Sequence, residues 1–260
     1  SHMKPLALIT GASSGIGKEI AIVAAKDGYD LLLVARRESA LNELADSLKT
    51  KYDCQVAVLS CDLSSETEWQ PLVDTMEKEA NRLEVVVNNA GFGAAGRVSD
   101  LEWERQNQMI QLNITVLVRL SQVAAQTMEK RGHGYIMNVA STAAFQPGPL
   151  MSIYYASKAF VLHFSEGLAE EMKPSGVIVS CLCPGPTDSE FIQAAQMEKP
   201  IYFKGPIPTS AEVAQWGWQA MKRGKMVAIH SIKNKILVTL GRLIPRCLIR
   251  KVTYYLNGTK

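Results

Sequence analysis

The sequence predicts an α/β fold built on one mainly parallel sheet with helices on both faces. Short continuous apolar runs such as Leu6-Ala7-Leu8-Ile9 and Val85-Val86-Val87 suit strands buried on both faces. Segments with apolar residues at helical spacing alternate with those runs along the chain. No linker, low-complexity stretch or internal repeat divides the 260 residues, so residues 3–260 read as one domain. Ser1-His2 reads as a remnant of tag removal and stands outside it.

Leu6-Ala7-Leu8-Ile9 is the first strand. Thr10-Gly11-Ala12-Ser13-Ser14-Gly15-Ile16-Gly17 follows and opens a helical pattern through Ile20, Val23 and Ala24. A strand, a glycine turn and a helix in that order make a phosphate site. Glycine allows the tight turn and a close backbone approach, and the helix N-terminus offers free N–H groups at the positive end of its dipole. The spacing Gly-x-x-x-Gly-x-Gly differs from the commoner Gly-x-Gly-x-x-Gly. Leu31-Leu32-Leu33-Val34 is the second strand and ends at Ala35-Arg36-Arg37, with no acid before Glu38. In a dinucleotide fold an acid near this point binds the ribose hydroxyls, whereas arginine accommodates a 2′-phosphate. The pair favours NADP(H) over NAD(H); alternatively, one of the two solvates the start of a helix from Glu38 to Leu48.

Val56-Ala57-Val58-Leu59 is the third strand, followed by Cys61-Asp62-Leu63, and a helix from about Glu66 to Asn81 leads to the fourth, Val85-Val86-Val87. Asn88-Asn89-Ala90-Gly91 stands at the carboxyl end of that strand, where open α/β sheets bind ligands. Helical patterns from Leu101 to Arg131 surround Asn113, and Tyr135-Ile136-Met137-Asn138-Val139 is a fifth strand ending at Ala140-Ser141-Thr142. After Pro147-Gly148-Pro149 a helix carrying Tyr154 and Lys158 runs to about Met172. Val177-Ile178-Val179-Ser180 is the sixth strand, closed by Pro184-Gly185-Pro186.

An apolar fraction of 47% and a charged fraction of 20% are ordinary for a soluble globular protein. No apolar run reaches the roughly 18 residues that a membrane-spanning helix needs, and no signal peptide is visible. Cys54, Cys61, Cys181, Cys183 and Cys247 are too irregularly spaced for a disulfide scaffold, and none has a partner at metal-ligand spacing. They read as reduced, buried thiols of a cytoplasmic protein, with no metal site. The net charge of +3 conceals an asymmetry: ten Lys and Arg and no acid follow Glu212, which leaves −7 on the chain before it. Nucleic-acid binding is not expected, because these cations interleave with aliphatic rather than aromatic positions and no reader motif is present.

Chemically the chain is organised around Tyr154-Tyr155-Ala156-Ser157-Lys158. On a helix, Tyr154 and Lys158 are i and i+4, one turn apart on one face. An ammonium beside a phenol favours the phenolate and lowers its pKa, which makes tyrosine usable as a proton donor or acceptor near neutral pH. Chance also produces such pairs; the surrounding motifs give this one weight. Tyr155 lies about 100° round the helix and takes a packing role. His163, in the same helix, reads as a packed or interface histidine.

Together, Thr10-Gly11…Gly15-Ile16-Gly17, Asn88-Asn89-Ala90-Gly91, Asn113, Ser141, Tyr154-x-x-x-Lys158 and Pro184-Gly185 resemble the short-chain dehydrogenase/reductase family, in order and along nearly the whole chain. The resemblance implies a Rossmann-like, doubly wound sheet of about seven strands in the order 3-2-1-4-5-6-7. It implies that Tyr154 protonates the carbonyl oxygen and that Lys158 lowers the pKa of Tyr154 and bonds the nicotinamide ribose. Ser141 would hold the substrate oxygen, and Asn113 would position a relay water. Gly11, Ser13, Ser14, Gly15, Ile16 and Gly17 would wrap the pyrophosphate side of NADP(H), with Arg36 and Arg37 on the 2′-phosphate. Asp62 and Leu63 would meet the adenine, and Asn89, Ala90 and Gly91 the adjoining ribose. Pro184 and Gly185 would back the nicotinamide, with Thr187 or Ser189 at its carboxamide; the family commonly has Val and Thr at those two positions. A homodimer or homotetramer is expected, paired through the helices that carry Asn113 and Tyr154. Two rivals stand beside the reductase: a non-catalytic NADP(H)-binding sensor or scaffold, disfavoured because all four catalytic residues are present, and an NAD-linked alcohol dehydrogenase.

The segments Phe92 to Val98, Ala143 to Ile153 and Glu190 to Pro208 are expected to build the substrate pocket, with 190–209 as a substrate loop. Phe145, Leu150, Met151, Phe191, Ile192, Met197, Tyr202 and Phe203 make it largely apolar, which suits a hydrophobic carbonyl compound; a lipid-like or acyl compound is what a resemblance of the tail to that of some bacterial family members implies. In the tail, residues 232–256, Ile236, Leu240, Leu243, Ile244, Leu248 and Val252 recur near helical spacing between basic residues, and Pro245 breaks or kinks the run. Three readings stand open: a lid over the pocket, a packing arm in an oligomer, or a basic amphipathic segment touching anionic lipid.

Overall fold

The computed structural model describes residues 3–187 and 207–258. Its strands are β1 (Leu6–Thr10), β2 (Asp30–Ala35), β3 (Val56–Ser60), β4 (Leu83–Asn88), β5 (Gly134–Val139), β6 (Val177–Cys183) and β7 (Val227–Ile229). They form one sheet in the order β3-β2-β1-β4-β5-β6-β7, and every neighbouring pair is parallel. Side chains alternate across a strand, so both faces of this sheet must be apolar. In β1, Ala7 and Ile9 enter one core and Leu6 and Leu8 the other; in β2, Leu31 and Leu33 oppose Leu32 and Val34 in the same way.

One face is covered by α1 (Gly15–Lys26), α2 (Glu38–Lys51) and α7 (Ser210–Lys222), through Ile20, Leu41, Leu48, Trp218 and Met221. The other is covered by α3 (Glu66–Lys78), α5 (Val116–Arg131) and the end of α6 (Ser152–Met172), through Leu72, Met76, Leu120, Met128 and Met172. The short α4 (Trp103–Ile110) leads into α5. The tail forms α8 (Ile232–Leu243) and α9 (Arg246–Gly258), separated at Pro245 as its missing N–H requires.

Several sequence expectations need correction. Helix α3 stops at Lys78 rather than near Asn81, because Arg82 turns back to pair with Glu79 at 2.7 Å and with the buried Asp30 of β2 at 2.9 Å. Helix α2 runs on to Lys51, beyond Leu48. The cysteines are free but not all buried: Cys61, Cys181 and Cys183 are, whereas Cys54 is half-buried and Cys247 exposed on α9. His163 is exposed on α6 rather than packed within the chain.

The strand order reverses between β1 and β4. At such a switch point the connections leave in opposite directions and open a crevice at the carboxyl ends of the strands. Thr10, the last residue of β1, holds the two strands together there: its Oγ1 donates to the Val87 carbonyl at 3.4 Å and accepts from the Asn89 and Ala90 N–H groups at 3.0 Å.

Candidate active site

A cleft of about 1340 Å³ occupies this crevice. It exceeds the usual range of a single-ligand pocket, roughly 300–1,000 Å³, and leaves room for a cofactor and a substrate together.

At one end lies the glycine turn. Gly11 (φ 62°) and Gly15 (φ 56°) are left-handed, a conformation that other residues adopt only with strain. Gly17 is required for a different reason: a Cβ there would overlap the Gly11 carbonyl and the Asn89 side chain. Helix α1 starts at Gly15 without a side-chain cap and without an acid in its first turn, so its N–H groups and positive dipole end are left for an anion. Arg36 and Arg37 line the cleft beside the turn, and Arg37 Nη2 lies 3.5 Å from Ser13 Oγ. These features fit a phosphorylated dinucleotide. Asp62 and Leu63 line the same end, where Asp62 Oδ1 accepts from the Ser64 hydroxyl at 2.6 Å.

Asn89 donates to the Gly11 carbonyl at 3.3 Å and joins the turn to the end of β4. Gly91 follows, where a Cβ would stand 3.0 Å from Asn113 Oδ1 and 3.5 Å from Lys158 Nζ. Asn113 sits on a π-helical segment, Gln111–Thr115, wedged between α4 and α5. Such insertions re-aim one side chain inside an otherwise regular helix and recur at functional sites. Buried, Asn113 accepts from the Phe92 N–H at 3.1 Å and donates to the Phe92 carbonyl at 2.9 Å and to Ser157 Oγ at 3.1 Å; Ser157 in turn donates to the Tyr154 carbonyl at 2.7 Å.

Tyr154, Lys158 and Ser141 all line the cleft. Ser141, just beyond β5, caps a short 3-10 turn by accepting from the Ala143 N–H at 3.0 Å. Lys158 Nζ donates to the Val139 carbonyl at 3.1 Å and lies 5.7 Å from the centre of the Tyr154 ring. The tyrosine's pKa is raised, not lowered as its spacing from the ammonium predicts. Burial pushes the Tyr154 phenol up, and a hydrogen bond with Ser141 pulls it partly back. Burial also lowers the Lys158 ammonium to about 8, against a small rise from Cys181 and Cys183. Tyr155 packs its ring against Gly148 and edge-on to Tyr154, and it borders the cleft as well.

Pro184, Gly185 and Thr187 form the wall opposite, and Thr142 N–H donates to the Pro184 carbonyl at 3.0 Å. Ser189 lies outside the described residues, as do Phe191, Ile192, Met197, Tyr202 and Phe203. Of the other expected site residues, Ser14, Ile16 and Ala90 line the cleft, while Gly17 and Asn113 support it from behind. Phe145 and Met151 line the substrate end; Leu150, left-handed at φ 69°, instead meets Gly258 at the end of α9.

The tail contributes residues that the sequence did not single out. Asn234 of α8 packs onto Gly185, Arg242 lies 5.9 Å over the Phe145 ring, and Asn257 donates to the Pro149 carbonyl at 3.0 Å. Of the apolar tail residues that the sequence did single out, Leu240, Ile244, Leu248 and Val252 wall the cleft, joined by Leu237, whereas Ile236 and Leu243 do not. Arg105, 4.0 Å over the Phe92 ring, borders the same end. Among the described residues no group of His, Cys, Asp and Glu could hold a metal ion.

The family model for short chain dehydrogenases matches residues 5–200. The chain belongs to this family of oxidoreductases. It is 36% identical over 180 residues to a very-long-chain 3-oxoacyl-CoA reductase of Pyrenophora tritici-repentis, a match that covers 68% of this chain but only 53% of that protein. A short-chain dehydrogenase from Sphingobium yanoikuyae, solved with NADPH, superposes with a TM-score of 0.83 at 33% identity over 92% of this chain and 94% of that one. A bulky-bulky ketone specific alcohol dehydrogenase from Comamonas testosteroni superposes with a TM-score of 0.78 at 29% identity, covering 92% of each chain.

Proposed function

We propose that this short-chain dehydrogenase uses NADP(H) to reduce the carbonyl of an apolar, lipid-like or acyl compound, or to oxidise the corresponding alcohol. One observation carries the reading: a single cleft joins a phosphate-binding turn flanked by Arg36 and Arg37 to a buried Tyr154 hydrogen-bonded with Ser141. The NADPH held by the Sphingobium relative supports the choice of cofactor.

In this reading the turn from Gly11 to Gly17 and the start of α1 hold the pyrophosphate, and Arg36 and Arg37, with Ser13, hold the 2′-phosphate. Asp62 and Leu63 meet the adenine, Asn89, Ala90 and Gly91 the ribose, and Pro184, Gly185 and Thr187 the nicotinamide. When bound, the dinucleotide supplies or accepts the hydride. Tyr154 gives its phenolic proton to the substrate oxygen. Because burial holds the phenol protonated at neutral pH, Tyr154 arrives at that step as an acid. Ser141 donates a hydrogen bond to the same oxygen, where negative charge develops. Lys158, held by the Val139 carbonyl, is still mostly an ammonium at neutral pH and stabilises the phenolate left behind. Asn113 fixes Phe92 and Ser157, and the free lone pair on its Oδ1 is where a relay water would bond.

Apolar substrates fit a cleft that Phe92, Phe145, Met151 and the tail residues Leu237 and Ile244 help to line. The tail walls part of this cleft and forms its rim. Exposed Trp103 on α4 and Phe160 on α6 suit pairing of subunits through those helices. Free thiols suit a cytoplasmic setting. The test is NADPH consumption over a panel of carbonyl compounds of increasing chain length. Turnover should rise with chain length and favour NADPH over NADH; turnover confined to small, charged aldehydes would contradict the substrate class.

A further inference from the structure

The tail helices have a second, outward face. On α8, Ile232, Ile236, Leu240 and Leu243 stand at i, i+4, i+8 and i+11, and Ile232 and Leu243 are 75% and 78% exposed. On α9, Leu248, Val252 and Tyr255 repeat at i, i+4 and i+7, with Tyr255 66% exposed. Exposed apolar side chains repeated along one side of a helix suit an interaction surface, unlike scattered single side chains. Six cations interleave with these stripes (Lys233, Lys235, Arg242, Arg246, Arg250 and Lys251), and no acid follows Glu212 in the chain. None of the six is ion-paired with another described residue. The outward face is also continuous with the cleft. Leu240, Ile244, Leu248 and Val252 are between 41% and 50% exposed yet line it, so they form its rim.

We propose that α8 and α9 dock on an anionic phospholipid surface, with the apolar rim of the cleft opening onto the bilayer. Apolar stripes flanked by unneutralised Lys and Arg are what an interfacial helix needs: the stripes enter the acyl boundary while the cations meet lipid phosphates. No helix among the described residues is long and apolar enough to cross a membrane. A second copy of the chain fits this face less well, because a symmetric contact brings the same cations together. Docking rests on the tail alone. Its use, the passage of an apolar substrate from bilayer to cleft, rests on the reductase reading.

The test is co-sedimentation of the full chain with vesicles of phosphatidylcholine alone and of phosphatidylcholine mixed with phosphatidylglycerol. The protein should bind the mixed vesicles at low salt, leave them at high salt and ignore the neutral ones. Combining Arg246→Glu, Arg250→Glu and Lys251→Glu, none of which lines the cleft, should weaken partitioning at least roughly hundredfold, from about fivefold per cation removed before the repulsion of the added carboxylates. Leu243→Asp should weaken it through the apolar stripe. Circular dichroism and NADPH consumption with a water-miscible ketone should stay unchanged in both variants. Equal binding to both vesicle types, no binding at low salt, or full binding by the charge-reversed variant overturns the proposal. So does a dimer that Leu243→Asp dissolves in the absence of vesicle binding, which would assign the face to a second copy. Failure of wild-type NADPH consumption would count against the reductase reading and leave docking standing.

Discussion

Replacing Lys158 by Met should separate what the lysine costs the fold from what it gives the chemistry. The ammonium is fully buried in the site and its pKa is lowered from 10.5 to about 8. Between those two values the unfolded chain binds a proton that the folded chain does not, so stability rises with pH across that window and is flat below it. Taken from about pH 7 to about pH 9.5, that shift corresponds to a gain of roughly 2 kcal/mol in the wild type. The Met variant lacks the group and should lack the gain. At any one pH the comparison is blunted, because the Val139 carbonyl loses its 3.1 Å donor, which costs about 1–3 kcal/mol if it is left unpaired. That loss does not depend on pH and cancels from the slope. The assay is urea unfolding of both proteins, without added nucleotide, at the two pH values. A wild-type gain that exceeds the variant's by about 2 kcal/mol is expected; parallel profiles would show that Lys158 is not held in a desolvated site.

Arg36→Asp with Arg37→Ala should weaken NADPH binding by one to several orders of magnitude, at roughly 1.5–3 kcal/mol for each hydrogen bond lost to a charged group, and leave NADH binding nearly unchanged. Equal losses for the two nucleotides in fluorescence titrations would remove these residues from the 2′-phosphate site. Gly17→Ala should force the Gly11 carbonyl and Asn89 apart. Overpacking of this kind costs about 1–3 kcal/mol in unfolding experiments, and nucleotide affinity should fall with it; a variant with unaltered stability and affinity would refute the role given to the turn's packing.

What the sequence made legible was mostly local. A glycine turn between an apolar run and a helical pattern needs no distant information, and neither does the i, i+4 spacing that puts Tyr154 and Lys158 on one face. Pro245 likewise marked the break between α8 and α9 by itself. The missing pieces depended on the folded environment. Spacing shows that an ammonium and a phenol are neighbours but not how dry they are, and burial reversed the expected direction for Tyr154. The π-helical segment at Asn113 adds a residue to a helix without changing the apolar pattern around it. Contacts of Asn234 with Gly185 and of Asn257 with Pro149 join residues far apart in the chain. Their residue types carry no signal of where a tail will lie. Strand β7 is three residues long and half-exposed at both ends, too brief for a periodicity to register. Ser157 could have been found: a serine inside the Tyr-Lys motif, three residues after Tyr154, is placed to bond back to its carbonyl.

The central claim is that Tyr154 is the proton donor to the substrate. Tyr154→Phe removes one oxygen from a buried ring and leaves the glycine turn and the arginines in place, so NADPH binding should persist. The decisive measurement is NADPH consumption by this variant beside the wild type, on whichever ketone the wild type turns over fastest. Turnover lowered by about 10²–10⁴-fold, the usual worth of a positioned general acid, with NADPH affinity retained is the expected result. Turnover near the wild-type rate would contradict the account.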